Sequence, residues 1–226
     1  REVDASGVVP AVSSSTGAFV GNFRWGPVEK PILISNEAEL ADTFGTPTAA
    51  TSVDFHSAAY FLKYTNALQV VRVLGDDDGY NAYNHNEAAN GANVRIKDGD
   101  AWDAALAGFD SDKHTFIAKW PGALGNSLRV SLCPQQGADS AFDAWAYKDN
   151  FDTAPGTSPF AEGKTATNDE VHVAVIDNLG KFSGTKGTVL ETYPFMSLAK
   201  NAKTPDGSTN YVRDVINRKS SYIWMA

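Results

Sequence analysis

Thr16-Gly-Ala-Phe-Val-Gly-Asn-Phe-Arg-Trp-Gly-Pro27 and Ala67-Leu-Gln-Val-Val-Arg-Val-Leu74 bracket the stretch on which the fold turns. Thr16–Phe23 alternates with a period of two and breaks at the Gly26-Pro27 turn pair, which predicts a strand. Ile32, Leu33 and Ile34 form a short apolar run suited to a second strand. Asn36, followed three positions later by Glu39 and then by Leu40 and Phe44, has the form of a capping box opening a helix that Gly45-Thr-Pro47 stops. Thr51-Ser-Val-Asp54 has a similar form, and Phe55, Ala58, Ala59 and Leu62 fall on one face of the helix it would open. Leu68, Val70, Val71, Val73 and Leu74 read as a strand buried on both faces. The stretch is thus a strand–strand–helix–helix–strand unit, and none of its residues forms a reactive constellation.

The rest of the composition bounds the class. A chain of 226 residues, 42% hydrophobic and 20% charged, has enough apolar residues for real cores and is not a disordered composition. A formal net charge of -8 argues against a nucleic-acid surface, which needs clustered Lys and Arg. No apolar run approaches the ~20 residues of a membrane span. The single cysteine, Cys133, rules out an internal disulfide and fits a reducing compartment. The chain begins at Arg1 without Met and stops in the strand-like Ser221-Tyr-Ile-Trp-Met-Ala226, so it reads as a piece of a longer chain.

Beyond Leu74, the Gly75–Gly79 turn signal and the Asn- and Ala-rich residues that follow mark a boundary. Ala92–Lys97 reads as a short strand, and Asp100 opens a short helix with Trp102 and Leu106 on one face. His114–Trp120 and Leu128–Leu132 read as a strand pair joined by Pro121-Gly-Ala-Leu-Gly125, with Leu128, Val130 and Leu132 inward. Ala138–Tyr147 has helical spacing, and residues 150–168 are loop-like. Val171–Ile176 and Thr188–Tyr193 read as an antiparallel pair around Asn178-Leu-Gly180, and Tyr211–Arg218 as a helix before a final strand. The predicted class is α+β, with antiparallel or mixed sheets flanked by helices in two lobes.

Signals for chemistry are weak. His56, His85, His114 and His172 lack ligand spacing, so zinc held by them with Cys133 would need an accidental convergence. Asp76, Asp77 and Asp78, with Asp98 and Asp100, could offer oxygens to a cation, but the calcium-loop pattern is absent and a solvated acidic turn is the better reading. No nucleophile elbow, phosphate loop or dinucleotide fingerprint occurs. Cys133, beside Pro134 at the end of an apolar strand, reads as a buried inert thiol. Trp25, Trp102, Trp120, Trp145 and Trp224 read as core or subunit interface rather than a ligand surface. The residues imply no enzyme, cofactor or metal. Since Asp and Glu total 27, a carboxylate-based hydrolase remains the alternative from another class.

The blocks Ser15–Pro31, Asn36–Thr48 and Ala58–Leu74 resemble the contractile tail sheath protein of T4-like bacteriophages, and Lys119-Trp-Pro-Gly-Ala-Leu-Gly-Asn126 resembles a turn of that family. Val171–Ile176, Thr188–Tyr193 and Tyr211–Trp224 resemble elements that follow it there. The resemblance implies a structural subunit that polymerises as stacked rings around the tail tube and contracts to drive the tube through the host envelope. The runner-up of the same mechanical class is the sheath of a non-phage contractile injection system. Implied partners are other copies of the chain, the tail tube protein, and baseplate and tail terminator proteins, with no nucleic acid. The implied location is the virion tail, with the host cytoplasm during assembly. The implied organisation is an arm at residues 1–15, a core unit at 16–75, a reduced insertion at 76–112 and a second α+β domain at 113–226, with the family's C-terminal domain absent. Within the arm, Glu2, Val3, Val8, Val9 and Val12 are the candidate inter-subunit contacts, by strand addition to a neighbour.

Overall fold

The computed structural model describes residues 16–75, 79–84, 94–106, 115–134 and 141–226. In the first unit, β1 (Gly17–Gly21), β2 (Ile32–Ile34) and β3 (Leu68–Arg72) form a three-stranded sheet in the order β1-β3-β2. β3 runs parallel to β1, pairing Gly17 with Leu68 and Gly21 with Arg72, and antiparallel to β2. Two helices, α1 (Glu37–Phe44) and α2 (Ser52–Leu62), lie over one face of this sheet. Beneath them Phe23, Ile34, Leu40, Phe44, Phe55, Ala58, Leu68 and Val70 form a continuous apolar core.

The local chemistry explains the helix limits. The Asn36 side chain accepts a hydrogen bond from the Glu39 N–H at 2.9 Å, while the Glu39 carboxylate reaches back to the Ser35 N–H and hydroxyl, a capping box displaced by one residue. Gly45 ends α1 in a left-handed conformation (φ 80°), with its N–H on the Ala41 carbonyl. The second capping box does not form. Thr51 makes no side-chain cap, its hydroxyl accepting instead from the Thr48 N–H, and Asp54 turns sideways to take the Asn22 N–H at 2.7 Å. β3 also differs from expectation. Leu68, Val70 and Arg72 are buried, but Gln69 and Val71 between them are only half-buried and Val73 is exposed, because helices cover one face alone.

In the remainder, α3 (Gly99–Leu106) buries Trp102, and β4 (Phe116–Ala118) pairs antiparallel with β8 (Ile223–Met225). β5 (Leu128–Pro134), β6 (Glu170–Asp177) and β7 (Thr188–Ser197) form an antiparallel sheet with β6 central and buried along its whole length. The one-turn helix α4 (Pro159–Glu162) precedes β6, and α5 (Val212–Lys219) packs Val212, Val215 and Ile216 against Val173, Val175 and Ile223. The expected pairing of the β4 and β5 segments is wrong: each has another partner, and the 3-10 turn Ala123–Ser127 carries the chain from one sheet to the other. Leu132 faces solvent rather than inward. Residues 94–97 are not a strand, although Val94 and Ile96 are buried, and residues 141–147 form turns rather than a helix. The class is α+β, with one mixed and two antiparallel sheets among the described residues.

Candidate assembly surface

The polar groups that burial makes costly are engaged with backbone. Arg72 is 1% exposed, yet its guanidinium donates to the carbonyl oxygens of Phe23, Arg24, Gly26 and Pro121. Burial pushes its pKa down to about 10, so it stays charged at neutral pH. Pro121 and Gly122 belong to the glycine-rich turn singled out in the sequence. Gly122 sits at φ 122°, and a Cβ there would lie 3.0 Å from an Arg72 nitrogen, which fits a residue without a side chain. The Asn81 amide bonds Ile96 on both backbone groups and the Ala118 carbonyl, tying residues 94–97 to β4.

Asp177, buried at the end of β6, accepts from the Ser127 hydroxyl, the Lys181, Phe182 and Ser183 N–H groups and the Ser183 hydroxyl. Burial alone would raise its pKa; these donors outweigh it and hold the carboxyl below the usual carboxylate range. His172 is also buried. Its Nδ1 accepts from the Phe195 N–H at 3.0 Å, so the ring's proton is on Nε2, 2.8 Å from the Thr153 carbonyl. Its ring stacks on Phe151 at 4.5 Å.

The candidates for chemistry are dispersed. His56 and His172 are far apart in role, one exposed on α2 and one buried, and His85 and His114 lie outside the described residues. Asp98 receives the Ala101 N–H and Asp100 bonds Lys30 at 2.8 Å, while Asp76, Asp77 and Asp78 lie outside the described residues. Cys133 is buried, and burial pushes its thiol pKa up. Among the described residues no group of three or more His, Cys, Asp or Glu is placed to hold a metal, and no helix is long and apolar enough to cross a membrane. Trp25, Trp102 and Trp224 are buried; Trp102 stacks on Trp224 at 5.0 Å, and Trp120 meets Trp224 edge-on. Trp145 donates its ring N–H to Ser131.

The arm residues Glu2, Val3, Val8, Val9 and Val12 lie outside the described residues. What the described residues do present is an exposed set of apolar side chains on the first unit, among them Val20, Leu33, Val53, Tyr60 and Tyr64. β1 is an edge strand of its sheet. Arg72 was the residue most open to anticipation: a lone cation in an apolar strand, at the same parity as the core residues Leu68 and Val70. Asp177 and His172 carried no comparable signal, since their partners come from loops and a neighbouring strand.

Fold and site together define an α+β structural unit whose buried polar groups are spent on positioning backbone. Residues 14–73 match the family described as tail sheath protein Gp18 domain III N-terminal region. The chain is 31% identical to the tail sheath protein of Salmonella phage ViI over 76% of its own length and 24% of that protein's. It is 40% identical to the tail sheath protein of Enterobacteria phage T4 over 36% of its own length and 12% of that protein's. The chain therefore spans about a quarter or less of these relatives. A sheath tail protein from Listeria innocua aligns with 93% of this chain and 29% of its own, at 13% identity and a TM-score of 0.44. Over these stretches the chain is similar to phage tail sheath proteins.

Proposed function

We propose that the chain is part of a contractile tail sheath subunit that polymerises as stacked rings around the tail tube. Contraction of that polymer drives the tube through the host envelope and delivers the genome, a change of packing that needs no catalytic residue. The observation that carries this reading is the relationship to the ViI phage tail sheath protein across 76% of the chain. The exposed apolar side chains of the first unit support it, because an assembling subunit must keep contact surface free. Partners on this reading are other copies, the tube protein, and baseplate and tail terminator proteins. The protein sits in the virion tail and passes through the host cytoplasm during assembly. Residues 16–75 act as the core unit, 76–112 as a reduced insertion and 113–226 as the second domain. Glu2, Val3, Val8, Val9 and Val12 contact a neighbouring subunit.

The test is negative-stain microscopy of the natural protein that contains this chain, purified at high concentration with and without tube protein. Tubes or stacked rings are expected, and a strictly monomeric protein under both conditions overturns the reading. Removing residues 1–12 is expected to abolish polymers without changing the circular dichroism of the remainder; intact assembly after the deletion removes the arm from the account.

A further inference from the structure

The chain is acidic, with 27 Asp and Glu against 19 Lys and Arg, yet three cations gather at one cavity. The cavity, of about 360 Å³, lies where the first unit meets the turn after β4 and the loop after β6. Arg24 and Arg72 line it from the first unit, Lys181 from that loop and Gly122 from the turn. Among the described residues that line it, none is Asp or Glu. The two guanidinium groups bond neutral oxygens. Arg72 holds four backbone carbonyls, and Arg24 holds the Lys181 carbonyl at 2.9 Å and, more loosely, the Thr46 carbonyl and hydroxyl. Among the described residues none of the three cations forms an ion pair; the pairs belong to Lys30, Lys97 and Arg213. Neighbouring carboxylates are engaged with backbone: Asp54 takes the Asn22 N–H, and Asp177 takes the Lys181, Phe182 and Ser183 N–H groups. Carbonyl dipoles satisfy the donors of a buried guanidinium but leave its full positive charge without a counter-charge. Burial accordingly lowers the Arg72 pKa, and no carboxylate offsets it.

We propose that this cavity is an anion site that takes a small dianionic oxyanion of the phosphate or sulfate class. Such a group supplies the missing negative charge and accepts charge-assisted hydrogen bonds from Arg and Lys, which are the short, strong kind. Asn22 and Thr51 add polar residues to the same lining. Arg24 belongs to the β1–β2 connection and Lys181 to the β6–β7 connection, so an anion held by both ties the first unit to the β5-β6-β7 sheet. It acts on the junction that Arg72 already clamps to the Pro121 carbonyl. The site does not depend on the sheath reading.

The test is thermal unfolding of the full chain in potassium phosphate and in potassium chloride at equal ionic strength, at a mildly alkaline pH where phosphate is doubly charged. A ligand that binds only the folded state raises Tm, so phosphate is expected to add ~5 °C or more at a hundredfold excess over Kd. Arg24→Gln with Lys181→Gln is expected to lose that rise and to bind phosphate ~tenfold or more weakly by isothermal titration calorimetry. If the pair does not fold, Lys181→Gln alone replaces it, since Lys181 is exposed. Lys63→Gln, which removes an exposed cation lying over Tyr60, is expected to keep the rise. Equal Tm in phosphate and chloride overturns the proposal. So does a phosphate rise of full size in the cavity variant, which would be a general salt effect. Gly75, which lines the cavity, is followed in sequence by Asp76, Asp77 and Asp78. Replacing those three with Asn is expected to leave phosphate binding intact. A loss of stability in that variant as large as in the cavity variant overturns the proposal, because the acidic run would then supply the counter-charge. Tube formation by the natural protein decides the sheath reading separately from every one of these outcomes.

Discussion

Arg72 on β3 donates from its guanidinium to the carbonyl oxygen of Pro121 at 2.9 Å, across 49 positions of sequence. The same side chain holds the carbonyls of Phe23, Arg24 and Gly26, so one buried cation fastens the β1–β2 connection of the first unit to the turn that follows β4. Other links join the same regions. The Val28 N–H meets the Lys97 carbonyl, Lys97 pairs with Glu29, Arg24 bonds the Lys181 carbonyl, and Trp25 packs edge-on against Phe182 at 5.0 Å. Replacing Arg72 with Met keeps the bulk but strands buried carbonyls, each costing ~1–3 kcal/mol when unsatisfied. Local relaxation and water recover part of that, so the expected net loss is ~2–4 kcal/mol in a urea titration followed by tryptophan fluorescence. A loss below ~1 kcal/mol would show that the clamp adds nothing beyond the apolar contacts around it.

Asp177 should report its burial through pH. Because the donors around it hold its folded pKa below the unfolded value, its stabilisation is present above pH ~4 and is lost as pH falls through the folded value. Asp169, bound by the Ser158 N–H and hydroxyl and by the Ser197 hydroxyl, is shifted the same way and loses its contribution over the same acid limb. Asp177→Asn points an amide at a ring of N–H and O–H donors, so ~2–3 kcal/mol of stability at neutral pH should disappear. The variant should also show a shallower fall between pH 5 and 3 than the wild type, read by thermal unfolding across buffers. An unchanged slope would place the acid sensitivity elsewhere.

The first unit was legible because its signals are local. Alternation marks β1, the Asn36–Glu39 spacing marks α1, and the spacing of Phe55, Ala58, Ala59 and Leu62 marks the inner face of α2. What failed depended on partners distant in sequence. β4 and β5 sit next to each other along the chain, yet β4 pairs with β8, more than a hundred positions away, and no property of either strand names that partner. The Thr51–Asp54 spacing suited a cap, but the Asn22 N–H offered Asp54 another bond. Leu132 alternates correctly and still faces solvent, since the sheet it joins has its core beneath Leu128 and Val130.

The two helix starts allow a paired comparison. Asn36→Ala removes a working cap and should cost ~1 kcal/mol. Asp54→Ala should leave the start of α2, which has no side-chain cap, unchanged and act on the Asn22 N–H that its carboxylate holds at 2.7 Å beside β1. Amide hydrogen exchange separates the two. Faster exchange is expected at Glu39 in the first variant and at Asn22 in the second, with the first turn of α2 unaffected. Faster exchange throughout the first turn of α2 in the second variant would restore Asp54 as a cap.

His172 gives a pH dependence in a different window. Its ring is neutral, with Nδ1 accepting from Phe195, a non-glycine residue at φ 51° opposite the bulge between Val171 and Val173. Burial lowers its pKa below the usual value, opposed by the Thr153 carbonyl and the Glu170 carboxylate, which itself accepts from the Gly156 N–H. The unfolded chain therefore takes up a proton near pH 6.5 before the folded one does, so stability present at pH 7 declines as pH falls from about 6.5 to the lower folded value. Protonation would also turn Nδ1 from acceptor to donor against the Phe195 N–H. Losing that hydrogen bond is worth ~1 kcal/mol, or about 2–4 °C in a chain of this size. Phe151, Phe142 and Trp145 ring the imidazole, so the segment carrying them should loosen with it. The wild type is expected to lose thermal stability between pH 7 and 5.5, and His172→Gln, less stable at pH 7, should lose less over the same interval. Equal losses in the two proteins would assign the decline to other groups.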